Sequence, residues 1–166
     1  MNSPDWTHLY EKHAAALVLY ARQWLPRASD AEDAVQDAFI RLFRSPQQFG
    51  ENPVPVLYQA VKWSCLDRVR KDSRRDRREQ VAFQESEQET AFDDPVERKE
   101  RKQMLEKALR KLPEDQREVI TLKIWGDLGF REIGEVLGIS INTAASRYRY
   151  ALKKLNQTLS PNEQTA

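Results

Sequence analysis

The sequence predicts an all-α fold of two small helical domains joined by a flexible acidic linker. Three observations carry that expectation. Apolar residues recur every three or four positions along most of the chain, the spacing that gathers side chains on one face of an α-helix. No window shows the period-two alternation of β-branched and polar residues that a half-buried strand would. An acidic stretch without lysine or arginine, residues 79–97, separates two such helical blocks. At 166 residues the chain has room for two small domains and not for a large catalytic fold with a separate reader.

The first helix is expected over residues 6–25, where Leu9, Ala16, Leu17, Tyr20 and Trp24 share a face. Ser29 and Glu32 form a capping box for a second helix that runs to about Arg44, with Ala31, Ala34, Val35, Ala38, Phe39, Leu42 and Phe43 as its apolar stripe. After a proline-rich loop at residues 45–55, a third helix places Leu57, Tyr58, Val61, Cys65, Leu66 and Val69 on one stripe and ends in arginines. Beyond the acidic stretch, Met104, Leu105, Ala108, Leu109 and Leu112 mark a fourth. Pro113 then opens a fifth as its first-turn residue, reaching Trp125. Prolines lack the backbone N–H that a helix interior needs, so their positions divide the chain into these segments.

Residues 130–152 carry the strongest functional signal. Ile133, Val136 and Leu137 give a short helix its buried face, Gly134 admits a close approach, and Gly138 supplies a left-handed turn. Ser140 stands where a helix N-cap is wanted, and Ile141, Ala144, Tyr148 and Leu152 continue a buried stripe. This is the pattern of a helix-turn-helix. Asn142, Thr143, Ser146, Arg147, Arg149, Tyr150, Lys153 and Lys154 remain for the outer face, a polar and basic set able to reach base edges and phosphates in a major groove. Ser146 and Arg147 are the first choices for contact. A helical hairpin that binds protein is the alternative.

The formal net charge of +1 hides a segregated distribution. Residues 68–78 hold seven basic and two acidic side chains, enough to follow a nucleic-acid backbone through Arg68, Arg70, Lys71, Arg74 and Arg75. Lys62, Tyr58 and Trp63 lie just upstream, and the two rings could stack on unpaired bases or pack in a core. On the second helix Asp33, Gln36, Asp37 and Arg41 line the face opposite the apolar stripe, which by itself reads as an ordinary wet surface.

Other function classes find little support. His8 and His13 lack metal-ligand spacing with any other ligand type, and no phosphate-cradling glycine loop or nucleophile elbow is present. Asp33 and Asp37 stand one turn apart without a third converging ligand. No cofactor and no metal are therefore expected, and no catalytic residue. The single cysteine, Cys65, falls on an apolar stripe and fits a reducing cytoplasm. No apolar run approaches the length of a membrane span, so no membrane insertion is expected, and Asp5 interrupts any basic signal-peptide start.

With these residues in view, the chain resembles the extracytoplasmic-function group of bacterial RNA polymerase sigma factors over nearly its whole length. Residues 31–44 are similar to the second helix of the sigma-2 domain, which in this family docks on the β′ clamp helices of core RNA polymerase. That resemblance implies polymerase contacts for Asp33, Gln36, Asp37 and Arg41. Residues 57–71, with the preceding loop, are similar to the segment that recognises and melts the downstream promoter element. Residues 112–155 are similar to the sigma-4 domain, which reads the upstream element and meets the β flap. The chain departs from the family's usual residues at Val56, Trp63 and Ala145, which bears on base-level contacts.

The resemblance implies a sigma-2-like domain at 1–78, a linker at 79–101 and a sigma-4-like domain at 102–159, with promoter DNA, core RNA polymerase and an anti-sigma factor as partners. Physical scale agrees. Promoter elements about 25 base pairs apart are separated by roughly 85 Å. Two domains of about 11 Å radius of gyration, tied by roughly 20 residues at about 3.3 Å each, can span that distance. The rivals are a self-sufficient helix-turn-helix regulator with an N-terminal dimerisation module, and a small metal-dependent nuclease using Asp33 and Asp37.

Overall fold

The computed structural model describes residues 4–45, 52–76 and 96–160, and over these the apolar spacing resolves into seven helices without a strand. They are α1 (Trp6–Ala21), α2 (Ala28–Arg44), α3 (Val54–Asp76), α4 (Val96–Arg110), α5 (Glu114–Ile124), α6 (Phe130–Leu137) and α7 (Ile141–Leu159). The chain divides into two compact units, Met1–Thr90 and Ala91–Ala166. No helix among the described residues is long and apolar enough to cross a membrane.

In the first unit α2 packs on both α1 and α3. Asp5 starts α1, its carboxylate accepting the His8 backbone N–H at 3.1 Å. The helix stops at Ala21 rather than at residue 25. Pro26 disfavours helical geometry at Leu25, and the chain turns there, with the Arg22 guanidinium donating to the Pro26 carbonyl. The expected Ser29 cap is also corrected: α2 begins at Ala28, so Ser29 lies inside its first turn and Arg27 is a cap without a side-chain bond. Asp30 in that turn supplies the negative charge that a helix N-terminus favours. Val54 and Pro55, expected in the loop, form the first turn of α3, where a proline loses no hydrogen bond. Residues 46–51 of that loop lie outside the described residues.

The core between these helices holds Leu17, Tyr20, Val35, Leu57, Tyr58, Val61 and Cys65, all but closed to solvent. Tyr20 and Tyr58 meet edge to face at 5.3 Å between ring centres, the arrangement that ring quadrupoles favour. The Cys65 thiol donates to the Ala21 carbonyl at 3.9 Å. Burial, opposed by the nearby Arg68 charge, pushes the thiol up to about 12, so it is a packing residue with negligible thiolate at neutral pH. Phe43 and Val69, expected on buried stripes, are exposed. Phe43 is near the end of α2 and packs only edge-on against Trp6, at 6.2 Å between ring centres.

In the second unit α7 is the central helix, packed on α4, α5 and α6. Its inner face is Ala144, Ala151 and Leu155, and the two alanines let neighbouring helices lie close. Ile120, Leu122 and Ile133 fill the space opposite. The α4–α5 corner is fastened by Arg117, which donates to the carbonyls of Leu109 at 3.0 Å, Arg110 at 3.1 Å and Leu112 at 2.8 Å. Those carbonyls would otherwise be left open at a helix end. Pro113 caps α5 from outside the helix rather than occupying its first turn.

The linker expected over 79–101 is shorter than that, because residues 96–101 already belong to α4. Glu97 in the first turn and Lys107 and Arg110 in the last match the helix dipole, and Glu97 stands one turn before Arg101. Residues 79–95 lie outside the described residues. Met104 and Ile141, expected to be buried, are exposed.

Candidate nucleic-acid interface

The turn between α6 and α7 is built by glycine. Gly138 closes α6 at φ +66°, a conformation that costs any residue with a Cβ. The N–H groups of Gly138 and Ile139 both return to the Gly134 carbonyl, the latter at 3.0 Å, closing the helix end as a Schellman turn does. A Cβ on Gly134 would stand 2.6 Å from the Ile139 carbonyl oxygen. The close approach that Gly134 admits is therefore that of the turn's own backbone. The preceding turn, between α5 and α6, uses no glycine for its left-handed residue: Asp127 adopts φ +53°, which a short polar side chain tolerates.

Ser140 then starts α7, its hydroxyl oxygen accepting the Thr143 N–H at 3.1 Å and its proton going to Thr143 Oγ1 at 2.8 Å. Thr143 thus belongs to the cap. With Ala144, Ala151 and Leu155 inward, the residues opposite are Asn142, Ser146, Arg149 and Lys153, four and three positions apart. Arg149 reaches Ser146 at 3.4 Å. Asn142, Arg149, Tyr150, Lys153 and Lys154 are exposed, with Tyr150 at 66%. Tyr148 is half-buried and packs against Phe130, their ring centres 5.6 Å apart.

Arg147 departs from the sequence expectation. It lies on the flank of α7 toward α5, where its Nε is 3.5 Å from Oδ2 of Asp115 and its side chain is 32% exposed. Sequence reasoning missed Asp115 because the contact joins residues 32 positions apart in different helices.

The basic end of α3 separates into two surfaces. Trp63 and Arg70 stand two helical turns apart on the solvent side, with Trp63 62% exposed, and Arg74 lies at the border of the two surfaces. Arg68 and Lys71 turn toward α2 and, with Arg74, line an open cleft of about 1040 Å³ shared with Asp37, Arg41 and Arg44. Arg68 donates to Asp37 Oδ2 at 2.5 Å. Burial works against its charge, but the Asp37 hydrogen bond and charge, joined by Asp33 and Asp30, hold the guanidinium above its ordinary value. Lys71 pairs with Asp67 at 3.3 Å. Two candidate sets separate in the sequence, one on α2 and one on α3, thus meet along one cleft, while Asp33 and Gln36 are exposed on α2.

One candidate fails outright. Tyr58 is completely buried against Tyr20, so it cannot stack on a base; its position on α3 serves the core. Burial pushes its phenol above the ordinary value, and its hydroxyl has no hydrogen-bond partner among the described residues. Lys62 lies 5.8 Å from the centre of the Trp24 ring, a cation–π distance. The Arg75 side chain lies outside the described residues.

Comparison with known proteins fits both units. Residues 9–75 match the family model for sigma-70 region 2, and residues 102–155 that for sigma-70 region 4. The ECF RNA polymerase sigma factor SigL of Mycobacterium tuberculosis is 29% identical over 155 residues, covering 91% of this chain and 86% of that protein. The ECF sigma factor RpoE of Cereibacter sphaeroides is 29% identical over 136 residues, or 80% of this chain and 74% of that one. Among solved structures, the sigma factor RpoE of Bartonella quintana, crystallised with the anti-sigma factor NepR, superposes with a TM-score of 0.72 at 25% identity, covering 95% of this chain and 98% of that one. CnrH, solved with the cytosolic domain of CnrY, shares the fold at a TM-score of 0.68 and 23% identity, over 95% and 88% of the two chains. With a glycine-built helix-turn-helix in one unit, a basic three-helix bundle in the other and family matches over both, the chain belongs to the sigma-70 family as an extracytoplasmic-function RNA polymerase sigma factor, a protein that directs promoter-specific transcription initiation.

Proposed function

We propose that residues 1–78 bind core RNA polymerase and hold the melted downstream element, that the unit beginning with α4 reads the upstream element through residues 102–159, and that residues 79–95 connect the two. The capped α7, with Asn142, Ser146, Arg149 and Lys153 in line on its outer side, is the observation that carries this reading. A rod of that width fits a major groove, and its polar and basic mix suits base edges flanked by phosphates. Tyr150 and Lys154 lie on its margins and meet the sugar-phosphate backbone.

On the other unit, Asp33, Gln36, Asp37 and Arg41 dock on the β′ clamp helices. Trp63 stacks on an unpaired base while Arg70, Lys71 and Arg74 follow the strand's phosphates. The α2–α3 cleft supports placing these two tasks side by side, since Asp37 and Arg68 are already joined across it. The second unit meets the β flap. The chain works in the cytoplasm, performs no covalent chemistry of its own, and is held inactive by an anti-sigma factor, as the Bartonella relative's complex with NepR suggests.

The test is transcription by core polymerase with and without the purified protein, on a supercoiled library of bacterial promoters. The expected result is a stable polymerase complex and start sites that appear only with the protein. Absence of both would overturn the reading. An Arg149→Ala variant is expected to keep the polymerase complex and lose upstream-element dependence. Equal loss of both would overturn the division of labour. A protein that instead binds a symmetric operator without polymerase would be a self-sufficient regulator.

A further inference from the structure

Arg147 is set apart from the other cations of α7. Arg149, Lys153 and Lys154 are exposed on its outer side, whereas Arg147 is half-buried on the flank toward α5 and held there by Asp115. Asp115 is itself fixed. Its Oδ1 accepts the Gln116 backbone N–H at 2.9 Å, and it stands in the first turn of α5, where the helix dipole favours a carboxylate. Its other oxygen, Oδ2, faces the Nε edge of the arginine at 3.5 Å as an ion pair. Among the described residues Arg147 makes no second ion pair, and its side chain keeps 32% of its surface open. Its terminal nitrogens form the fork that matches the O6 and N7 atoms of a guanine.

We propose that Asp115 is a positioning residue for promoter reading, holding Arg147 by its Nε so that its terminal fork is oriented for a base edge of the upstream element. This rests on the assignment of α7 to that element. An unrestrained arginine must give up several rotatable bonds when it binds, and one already held by a neighbouring helix has lost them beforehand. Asp115 never touches the DNA in this arrangement. It acts through Arg147, as an outer partner orients a ligand.

The sign of the effect separates this from simple electrostatics. A carboxylate beside a DNA site repels phosphates, so if charge alone mattered, neutralising Asp115 would tighten binding to every duplex. Positioning demands the opposite for the correct sequence only. The experiment uses holoenzyme assembled from core polymerase and the full chain, with two labelled duplexes. One is selected from a randomised upstream-element library by the unaltered holoenzyme; the other is its scrambled counterpart.

Asp115→Asn is expected to lower the selected-to-scrambled affinity ratio by about threefold to tenfold, the worth of ordering one long side chain. Binding of the scrambled duplex stays the same or tightens. Asp115→Glu keeps most of the ratio. Asp115→Asn made on top of Arg147→Ala adds nothing further, because the residue it orients is gone. Melting curves of Asp115→Asn shift down by a few degrees at most, the worth of one half-exposed ion pair and one first-turn charge. The proposal is overturned if Asp115→Asn tightens both duplexes, leaves the ratio unchanged, or adds its full effect to Arg147→Ala. If Arg147→Ala leaves the ratio intact while Arg149→Ala lowers it, positioning by Asp115 is wrong and α7 still reads the element. If neither arginine matters, the assignment of α7 falls with it.

Discussion

Arg117 offers the most direct measure of how the second unit is held together. Replacing it with Met keeps most of the aliphatic stem and removes the guanidinium, and with it three hydrogen bonds to the last carbonyls of the α4–α5 corner. The bonds to Leu109 and Leu112 are part-buried, and that to Arg110 is exposed. Water can replace the exposed one at little cost. The other two leave carbonyls poorly solvated, at about 1–3 kcal/mol each, for a total of roughly 2–4 kcal/mol when partial access is allowed for. For a unit of this size that lowers Tm by roughly 10–25 °C.

The assay is thermal unfolding of the full chain by far-UV circular dichroism, with hydrogen exchange on peptides from α1–α3 and α4–α7 to assign the transition. The shift should fall on the second unit alone. Arg117→Lys, which keeps the charge and loses the fork, should recover a minor part. A loss below about 1 kcal/mol, or a loss shared with α1–α3, would refute the view that this side chain fastens α4 to α5.

Other expectations follow from single contacts. Gly138→Ala should cost about 1–2 kcal/mol through its left-handed φ alone, and Gly138→Asn less, because nothing crowds the site. Gly134→Ala should destabilise by up to about 3 kcal/mol through the Ile139 carbonyl, less about 1 kcal/mol regained from helix propensity; chemical denaturation of each variant decides. Tyr58→Phe should leave stability equal or higher by up to about 2 kcal/mol, since the lost hydroxyl has no partner, and should leave promoter opening by permanganate footprinting unchanged. His13 has its pKa lowered by burial, then by Lys12 and His8, so the folded state favours its neutral form. Its stabilising contribution is full above the ordinary value of 6.5 and is lost as pH falls through the lower folded value. Denaturation at a series of pH values should show that slope flattened in His13→Leu.

The errors of sequence reading share a cause. Helical spacing identifies the inward face of α3, and Tyr58 lies on that stripe; a ring that fills the core there cannot also face a base. Phe43, Val69, Met104 and Ile141 continue apolar patterns onto positions the packing leaves exposed, so periodicity alone overextended the core. The Ser29–Glu32 box satisfies a local pattern, but α2 begins at Ala28, just after Pro26, with Ala31 and Ala34 buried. Within α7 the inward and outward residues were mostly legible, because one helix obeys one period.

What the sequence determined alone is what depends on near neighbours in the chain: helical type, the left-handed Gly138, the Ser140 cap, and the polar and basic side of α7. Each is decided within about a turn of helix, by backbone sterics or a bond spanning three or four residues. Only the tertiary structure decided which charges meet. Arg68 with Asp37, Arg147 with Asp115, and Arg117 with the end of α4 are fixed by how whole helices pack. A charged side chain carries no mark of its partner in sequence, since several oppositely charged residues would serve and only the core beneath them selects one.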